Sequence, residues 1–199
     1  MFRNLHNDRL DAVYRQLLTA GAASILDLGC GEGPLFARLA ANPAFRRLIG
    51  VDADPRALLA LRRRLADARL MDDDRLRLLQ ASFTDPSHDL SGFDAAILVE
   101  TIEHIDPSML SCLERALFEK HRPQTIIVTT PNVEFNDLLG VPRRRFRHPG
   151  HRFEWTRRKF QHWSRGVGRR SGYKASFHDV GAAHPRLGGP TQMAVFRKA

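Results

Sequence analysis

Cysteine is scarce in this chain: Cys30 and Cys112 are the only two among 199 residues. Two thiols cannot build a disulfide framework, so a hydrophobic core has to hold the fold, and a reducing, cytoplasmic setting is expected. Long apolar runs are missing too. No stretch approaches the roughly 20 residues that cross a bilayer, and Met1-Phe2-Arg3-Asn4 does not open a signal peptide, so no membrane partner is expected. Repeats, low-complexity tracts and an interdomain linker are also absent. A single domain over residues 1–199 is the expectation.

Positive charge, by contrast, is in excess. Lys and Arg number 31 against 22 Asp and Glu, for a net charge of +9. The excess is not evenly spread. Residues 52–106 are rich in acids, whereas residues 143–170 hold eleven Arg or Lys and one acid, Glu154. Such a block fits a polyanionic partner, most economically nucleic acid; the alternative is a solvated basic surface.

The pattern along the chain alternates strands with helices. Residues 5–20 carry apolar side chains at Leu10, Val13, Tyr14, Leu17 and Leu18, a helical stripe, with Arg9 on the polar side. Ser24 to Gly29 reads as a buried strand. It runs into Gly29-Cys30-Gly31-Glu32-Gly33 and then a helical pattern at Leu35–Leu39. Strand, glycine-rich turn and helix start together make a nucleotide-binding unit, because glycine permits tight turning and close approach of a ligand to the backbone. Leu48 to Asp52 is a second strand ending in a carboxylate that could accept the ribose hydroxyls of an adenosine. The competing reading is that Asp52 or Asp54 caps the helix over Pro55–Ala68; Asp54 followed by Pro55 fits the cap better and leaves Asp52 for a ligand. A third strand over Arg75–Ala81 leads into Ser82, where an adenine ring is expected.

Phe93 to Val99 predicts a fourth strand, and Glu100, Glu103 and His104 follow it at helical spacing. The three could converge on one cation beyond the strand's carboxyl end, where ligands bind in open α/β sheets; a charged helix start is the alternative. A helix over Pro107–Lys120 and a fifth strand over Thr125–Thr129 come next. Residues 133–155 lose periodicity and read as a functional loop. A short helix over Thr156–Trp163 and two late strands near Gly172–Phe177 and Gln192–Arg197 close the chain. Strands alternating with helices predict an α/β fold: a Rossmann-like, seven-stranded, mostly parallel sheet with helices on both faces.

The turn Asp27-Leu28-Gly29-Cys30-Gly31-Glu32-Gly33 resembles motif I of class I S-adenosylmethionine-dependent methyltransferases. Glu100-Thr101-Ile102-Glu103-His104-Ile105, the stretch Thr130 to Asn136 and the stretch Arg147 to Arg157 narrow the match. Together they resemble the HEN1 family of small-RNA 2'-O-methyltransferases, over about Leu5–Trp163. The resemblance implies methylation of the ribose 2'-hydroxyl on the 3'-terminal nucleotide of RNA, with S-adenosylmethionine and Mn²⁺ or Mg²⁺. It places the metal on Glu100, Glu103, His104 and His151. It places the methionine part of the cofactor on Asp27, Gly29 and Gly31, the ribose on Asp52, and the adenine side near Ser82. Arg9, Asn132 and Arg147 fall to the RNA end, and residues 133–155 become an RNA- and metal-binding insertion. The implied partner is RNA with a free 3'-terminal 2',3'-diol, with a separate RNA-repair or RNA-binding protein as a second candidate. The family pattern has Asp where this chain has Gly150, so a carboxylate that would orient His151 is expected to be missing.

That chemistry suits the residues. A ribose hydroxyl is a poor nucleophile at neutral pH, and a cation stabilises its alkoxide. His104 or His148 could take the proton, as could water. Phe153 and Trp155 could stack on a terminal base, or Trp155 could anchor the loop to the core. Two other readings share motif I: an O-methyltransferase for a small molecule or protein, and an RNA-binding module with a degenerate site.

Overall fold

The computed structural model describes residues 5–85 and 87–199. The opening Met1-Phe2-Arg3-Asn4 lies outside them, as does Pro86. In chain order the main elements are α1 (Leu5–Thr19), β1 (Ser24–Leu28), α2 (Pro34–Ala40), β2 (Arg47–Asp52), α3 (Pro55–Asp67), β3 (Leu76–Gln80) and β4 (Ala95–Val99). They continue with α4 (Leu110–Glu114), β5 (Thr125–Pro131), α5 (Arg157–Ser171), β6 (Tyr173–Val180) and β7 (Thr191–Lys198). One sheet of order β3-β2-β1-β4-β5-β7-β6 results. Its first five strands pair in parallel, and β7 runs antiparallel to both β5 and β6. The expected seven-stranded, mostly parallel sheet is therefore observed.

The period-2 alternation of the central strands sends apolar side chains to both faces. Ile25, Leu48, Ile97 and Val195 face α1, α2 and α3, meeting Val13, Leu17, Phe36, Leu39 and Leu61. Leu26, Ile49, Leu98, Ile126 and Phe196 face the other way, onto Leu113, Leu117, Phe118, Phe160 and Val167. In α1, Leu10, Val13 and Leu17 are buried as expected, but Leu18 is 48% exposed. Among the described residues no helix is long and apolar enough to cross a membrane.

Two helices differ from their sequence reading. The run after β4 is not one α-helix: Pro107–Met109 is a 3₁₀ turn, α4 follows, and Arg115–His121 is wound as a π-helix. The last helix continues to Ser171, well past Trp163. Gly166 and Gly168 argue against helix by propensity alone. Packing overrides them, because a Cβ at Gly168 would lie 2.7 Å from the Tyr173 carbonyl oxygen, so only glycine allows the helix to close on β6.

Candidate active site

The parallel strands all end on one edge of the sheet, and the proposed functional residues gather there. β1 turns at Gly29, whose φ is +76°, and a Cβ there would lie 2.4 Å from Thr101 Cγ2. Glycine is required by the approach of the chain leaving β4. Among the described residues nothing lies within 4 Å of a Cβ built on Gly31, so that side of the turn is open to them. Asp52, at the end of β2, ties this turn down. Its Oδ2 accepts the Gly31 N–H at 2.8 Å and its Oδ1 accepts the Asp54 N–H at 2.9 Å. It is thus not free of protein partners, although each carboxylate oxygen keeps a second acceptor site. Asp54 is the cap of α3, accepting from the Arg56 N–H. Ser82 follows β3, its hydroxyl 2.7 Å from that of Thr84.

Asp27 is almost wholly buried at the end of β1. Burial and the neighbouring Asp52 push its pKa up to about 7. The sign of the resulting pH dependence is fixed. Between about pH 4 and pH 7 the unfolded chain releases this proton while the folded chain retains it, so stability falls as pH rises. Asp27→Asn is therefore expected to be more stable than the wild type at pH 8, by up to an order of 4 kcal/mol, and equal to it near pH 4. Urea unfolding at the two pH values measures this; an unchanged difference between them contradicts it.

The segment leaving β4 carries the acids. Glu100 adopts φ +52°, a left-handed conformation that is costly for a side chain with a Cβ. Its N–H donates to the Thr129 carbonyl and hydroxyl. One 3₁₀ turn, Ile102–His104, then places Glu103 inward, with no exposed surface, and His104 outward. Thr130 Oγ1 donates to Glu103 Oε2 at 2.9 Å. The other oxygen, Glu103 Oε1, is buried without a hydrogen-bond partner among the described residues, and so is Glu100 Oε1. Burial raises the pKa of both carboxyls, and Glu100 raises that of Glu103 further.

Residues 133–155 bring the histidines. Asn132 pairs with Trp155, and the Arg152 N–H donates to the Glu103 carbonyl, so the loop folds back over the β4 edge. His151 Nε2 lies 4.0 Å from Glu103 Oε1. Donor atoms of His104, His148 and His151 all lie within 4.8 Å of one another. Partial desolvation and the two neighbouring imidazoles lower the His104 pKa; desolvation lowers that of His151 against the opposing pull of Glu154. The donor types fit a divalent cation: Glu103 Oε1, buried without a hydrogen-bond partner among the described residues, faces His151 beside the three-histidine group, and Glu100 offers a second such oxygen on the same segment.

The family model for a methyltransferase domain matches residues 25–122. The chain is 33% identical to a small RNA 2'-O-methyltransferase of Rattus norvegicus over 183 residues, covering 87% of this chain and 46% of that protein. It superposes on the methyltransferase domain of bacterial CtHen1-C with a TM-score of 0.88 at 40% identity, covering 98% of this chain and all of that one. The chain belongs to the HEN1 family. Its fold is the class I methyltransferase fold. A longer structure, of the small RNA methyltransferase HEN1, superposes with a TM-score of 0.90 at 28% identity, over all of this chain and 26% of that one. The chain spans about half the length of the curated HEN1 relatives it first matches.

The expectation that His151 lacks an orienting carboxylate is corrected: one is present, supplied from position 154 rather than 150. Glu154 Oε1 lies 2.6 Å from His151 Nδ1. A carboxylate can only accept, so Nδ1 carries the proton and Nε2 is left with its lone pair toward Glu103. Glu154 is itself held by the Asn136 amide at 2.7 Å and the Arg147 N–H at 2.7 Å. Sequence reading missed its role, though the signal was available: it is the single acid in the basic stretch. Gly150 sits against two imidazoles instead, since a Cβ there would come within 3.0 Å of His148 Nδ1 and 3.2 Å of His104 Nδ1.

The residues assigned to the RNA end are placed as follows. Arg9 points inward from α1, its Nε 3.1 Å from Thr191 Oγ1 and 3.5 Å from Glu100 Oε2. Arg147 donates to Asn136 Oδ1 and to the carbonyls of Pro190 and Asn132, bracing the loop. Asn132 is buried, and its amide donates to the Leu187 and Gly189 carbonyls while its Oδ1 accepts the Glu134 N–H. Phe153 and Trp155 are buried and stack on each other with centroids 4.5 Å apart. Of the two roles open to Trp155, loop anchor is the one observed. The aromatic that this loop exposes is Phe146.

Proposed function

We propose that this domain transfers the methyl group of S-adenosylmethionine to the 2'-hydroxyl of the 3'-terminal nucleotide of RNA, with Mn²⁺ or Mg²⁺ bound by Glu100, Glu103, His104 and His151. The observation that carries the reading is Glu103 Oε1, buried without a hydrogen-bond partner among the described residues and set against His151, with a second such carboxylate oxygen on Glu100 three residues earlier. When bound, a hard divalent cation supplies charge that stabilises an oxyanion and lowers the effective pKa of a hydroxyl. A mixed oxygen and nitrogen donor set suits Mn²⁺ better than Mg²⁺.

The chain's own residues supply the rest. Asp27, poised near neutrality by burial, ionises against the cationic methionine portion of the cofactor. Gly29 and Gly31 let that portion approach the backbone, Asp52 accepts from the ribose with its remaining lone pairs, and Ser82 borders the adenine side. Thr130 and Glu154 hold Glu103 and His151 in place, which fixes the acceptor relative to the sulfonium methyl for in-line displacement. His148, or His104 in a state where it is not committed to the metal, takes the hydroxyl proton; the two rings belong to one cluster, with centroids 5.4 Å apart. Residues 133–155 act as an RNA- and metal-binding insertion. Arg9 lies at the RNA end beside Glu100, Arg147 and Asn132 shape that end by bracing the loop, and exposed Phe146 is available to a terminal base. A terminal 2',3'-diol offers two vicinal oxygens, whereas an internal nucleotide or a 3'-phosphate offers one, so end selection needs no base readout.

The test is methyl transfer to an RNA with a free 3'-terminal diol in the presence of S-adenosylmethionine and Mn²⁺. The product should carry its methyl on the terminal 2'-oxygen. Equal transfer to a 2'-deoxy terminus, or transfer that survives complete chelation, overturns the proposal. An acceptor that is a small molecule would leave the basic stretch at 143–170 without a use.

A further inference from the structure

We propose that the outward face of α5 is a phosphate track for the RNA nucleotides upstream of the one methylated. The inference rests on the RNA reading above and extends it to a part of the molecule outside the active site.

The helix starts at Arg157, three residues after Glu154, so its amino-terminal end adjoins the site. Phe160, Ser164, Val167 and Ser171 form its buried face. Arg158, His162, Arg165 and Arg169 recur at spacings of four, three and four. At 3.6 residues per turn they fall within a sector of roughly 60°, opposite the buried face, and run about 16 Å along the axis. Together with Thr156 and Lys159 they line a shallow groove of about 480 Å³.

The basic residues of α5 divide into two sets. Arg157 is paired with Glu134 and Arg170 with Glu114, so these two brace the fold. Among the described residues, no carboxylate lies within 4.0 Å of the charged groups of Arg158, Arg165 or Arg169. Arg165 is held over the Phe177 ring at 4.9 Å and by Gln161 at 3.1 Å, which sets its guanidinium without neutralising it. A straight row of unneutralised cations in a groove leading away from the site matches a phosphodiester backbone, whose charges recur along a line. A merely solvated face would not need to segregate its cations onto one stripe while pairing those on either side.

The experiment compares the wild type with an Arg158→Gln, Arg165→Gln, Arg169→Gln triple variant on two acceptors with free 3' diols. One is a trinucleotide and the other a single-stranded RNA of about 12 nucleotides. The expected result is a rise in KM of tenfold or more for the longer RNA, with kcat retained and the trinucleotide unaffected. In fluorescence anisotropy, the slope of log affinity against log salt for the longer RNA should fall in magnitude by about 2, as three lost contacts at about 0.7 each predict for single strands. An unchanged KM and salt slope overturns the proposal, and an α5 face that docks an acidic protein gives that result. Equal losses on both acceptors with a lowered Tm also overturn it, since the stripe would then be structural. If the wild type methylates neither RNA, the proposed reaction fails, while the salt slope still decides for or against the track.

Discussion

Glu103→Gln is expected to reduce methyl transfer by on the order of 10³-fold or more while leaving the domain folded. The substitution keeps the shape and an acceptor for the Thr130 hydroxyl, so the local hydrogen bond survives. What disappears is the negative charge at Oε1, the atom that faces His151 and has no protein partner. Stability should not fall, because an amide in a site with no exposed surface avoids the desolvation that raises the carboxyl pKa. Two measurements check this together. Mn²⁺ should raise the Tm of the wild type and not that of the variant, as expected for a ligand that binds the folded state only. Excess Mn²⁺ should not restore turnover. A variant that retains both the Tm response and the activity would remove Glu103 from the metal site.

Glu154→Gln should behave differently, and the difference separates a positioning residue from a ligand. Glu154 orients His151 through Nδ1 and accepts from Arg147 and Asn136 at the same time. An amide in its place turns an NH₂ group toward one of these donors and gives up the charge that favours the Nδ1-protonated ring. Loss of such an orienting carboxylate costs about 10–100-fold in metal affinity. The apparent Kd for Mn²⁺ should rise by about that factor, with kcat recovering as Mn²⁺ is raised. A kcat that stays low at saturating Mn²⁺, with unchanged metal affinity, would mean that Glu154 acts on the reaction rather than on His151.

The contrast between these two carboxylates shows what was legible in the sequence. Glu100, Glu103 and His104 follow an apolar strand, and that local pattern places them at the strand's carboxyl end. The expected helical turn through all three does not form, because Glu100 is left-handed and the 3₁₀ turn covers only Ile102–His104, with Glu103 inward and His104 outward. The Asp54 cap of α3 and the five parallel strands are likewise local: turn chemistry and side-chain periodicity act over a few residues. The end of α5 was not legible, because Gly168 lowers helix propensity yet is demanded by the Tyr173 carbonyl, a contact made only after β6 has docked. The direction of Phe153 and Trp155 was also undecided, since an aromatic beside arginines can stack on a base or on its own core. Here each stacks on the other.

The sequence by itself determined the order of strands and helices, the glycine turn after Asp27, the acids after β4 and the concentration of cations beyond residue 142. Each of these follows from residue type and short-range spacing. The tertiary structure alone decided which distant groups meet. It brought Glu154 rather than position 150 to His151, turned Arg9 from the polar side of α1 toward Glu100, and committed Arg147 and Asn132 to bracing the loop. These outcomes depend on how a 23-residue loop closes over the sheet edge, and closure is set by long-range hydrogen bonds, such as Arg152 to the Glu103 carbonyl, that no local pattern encodes.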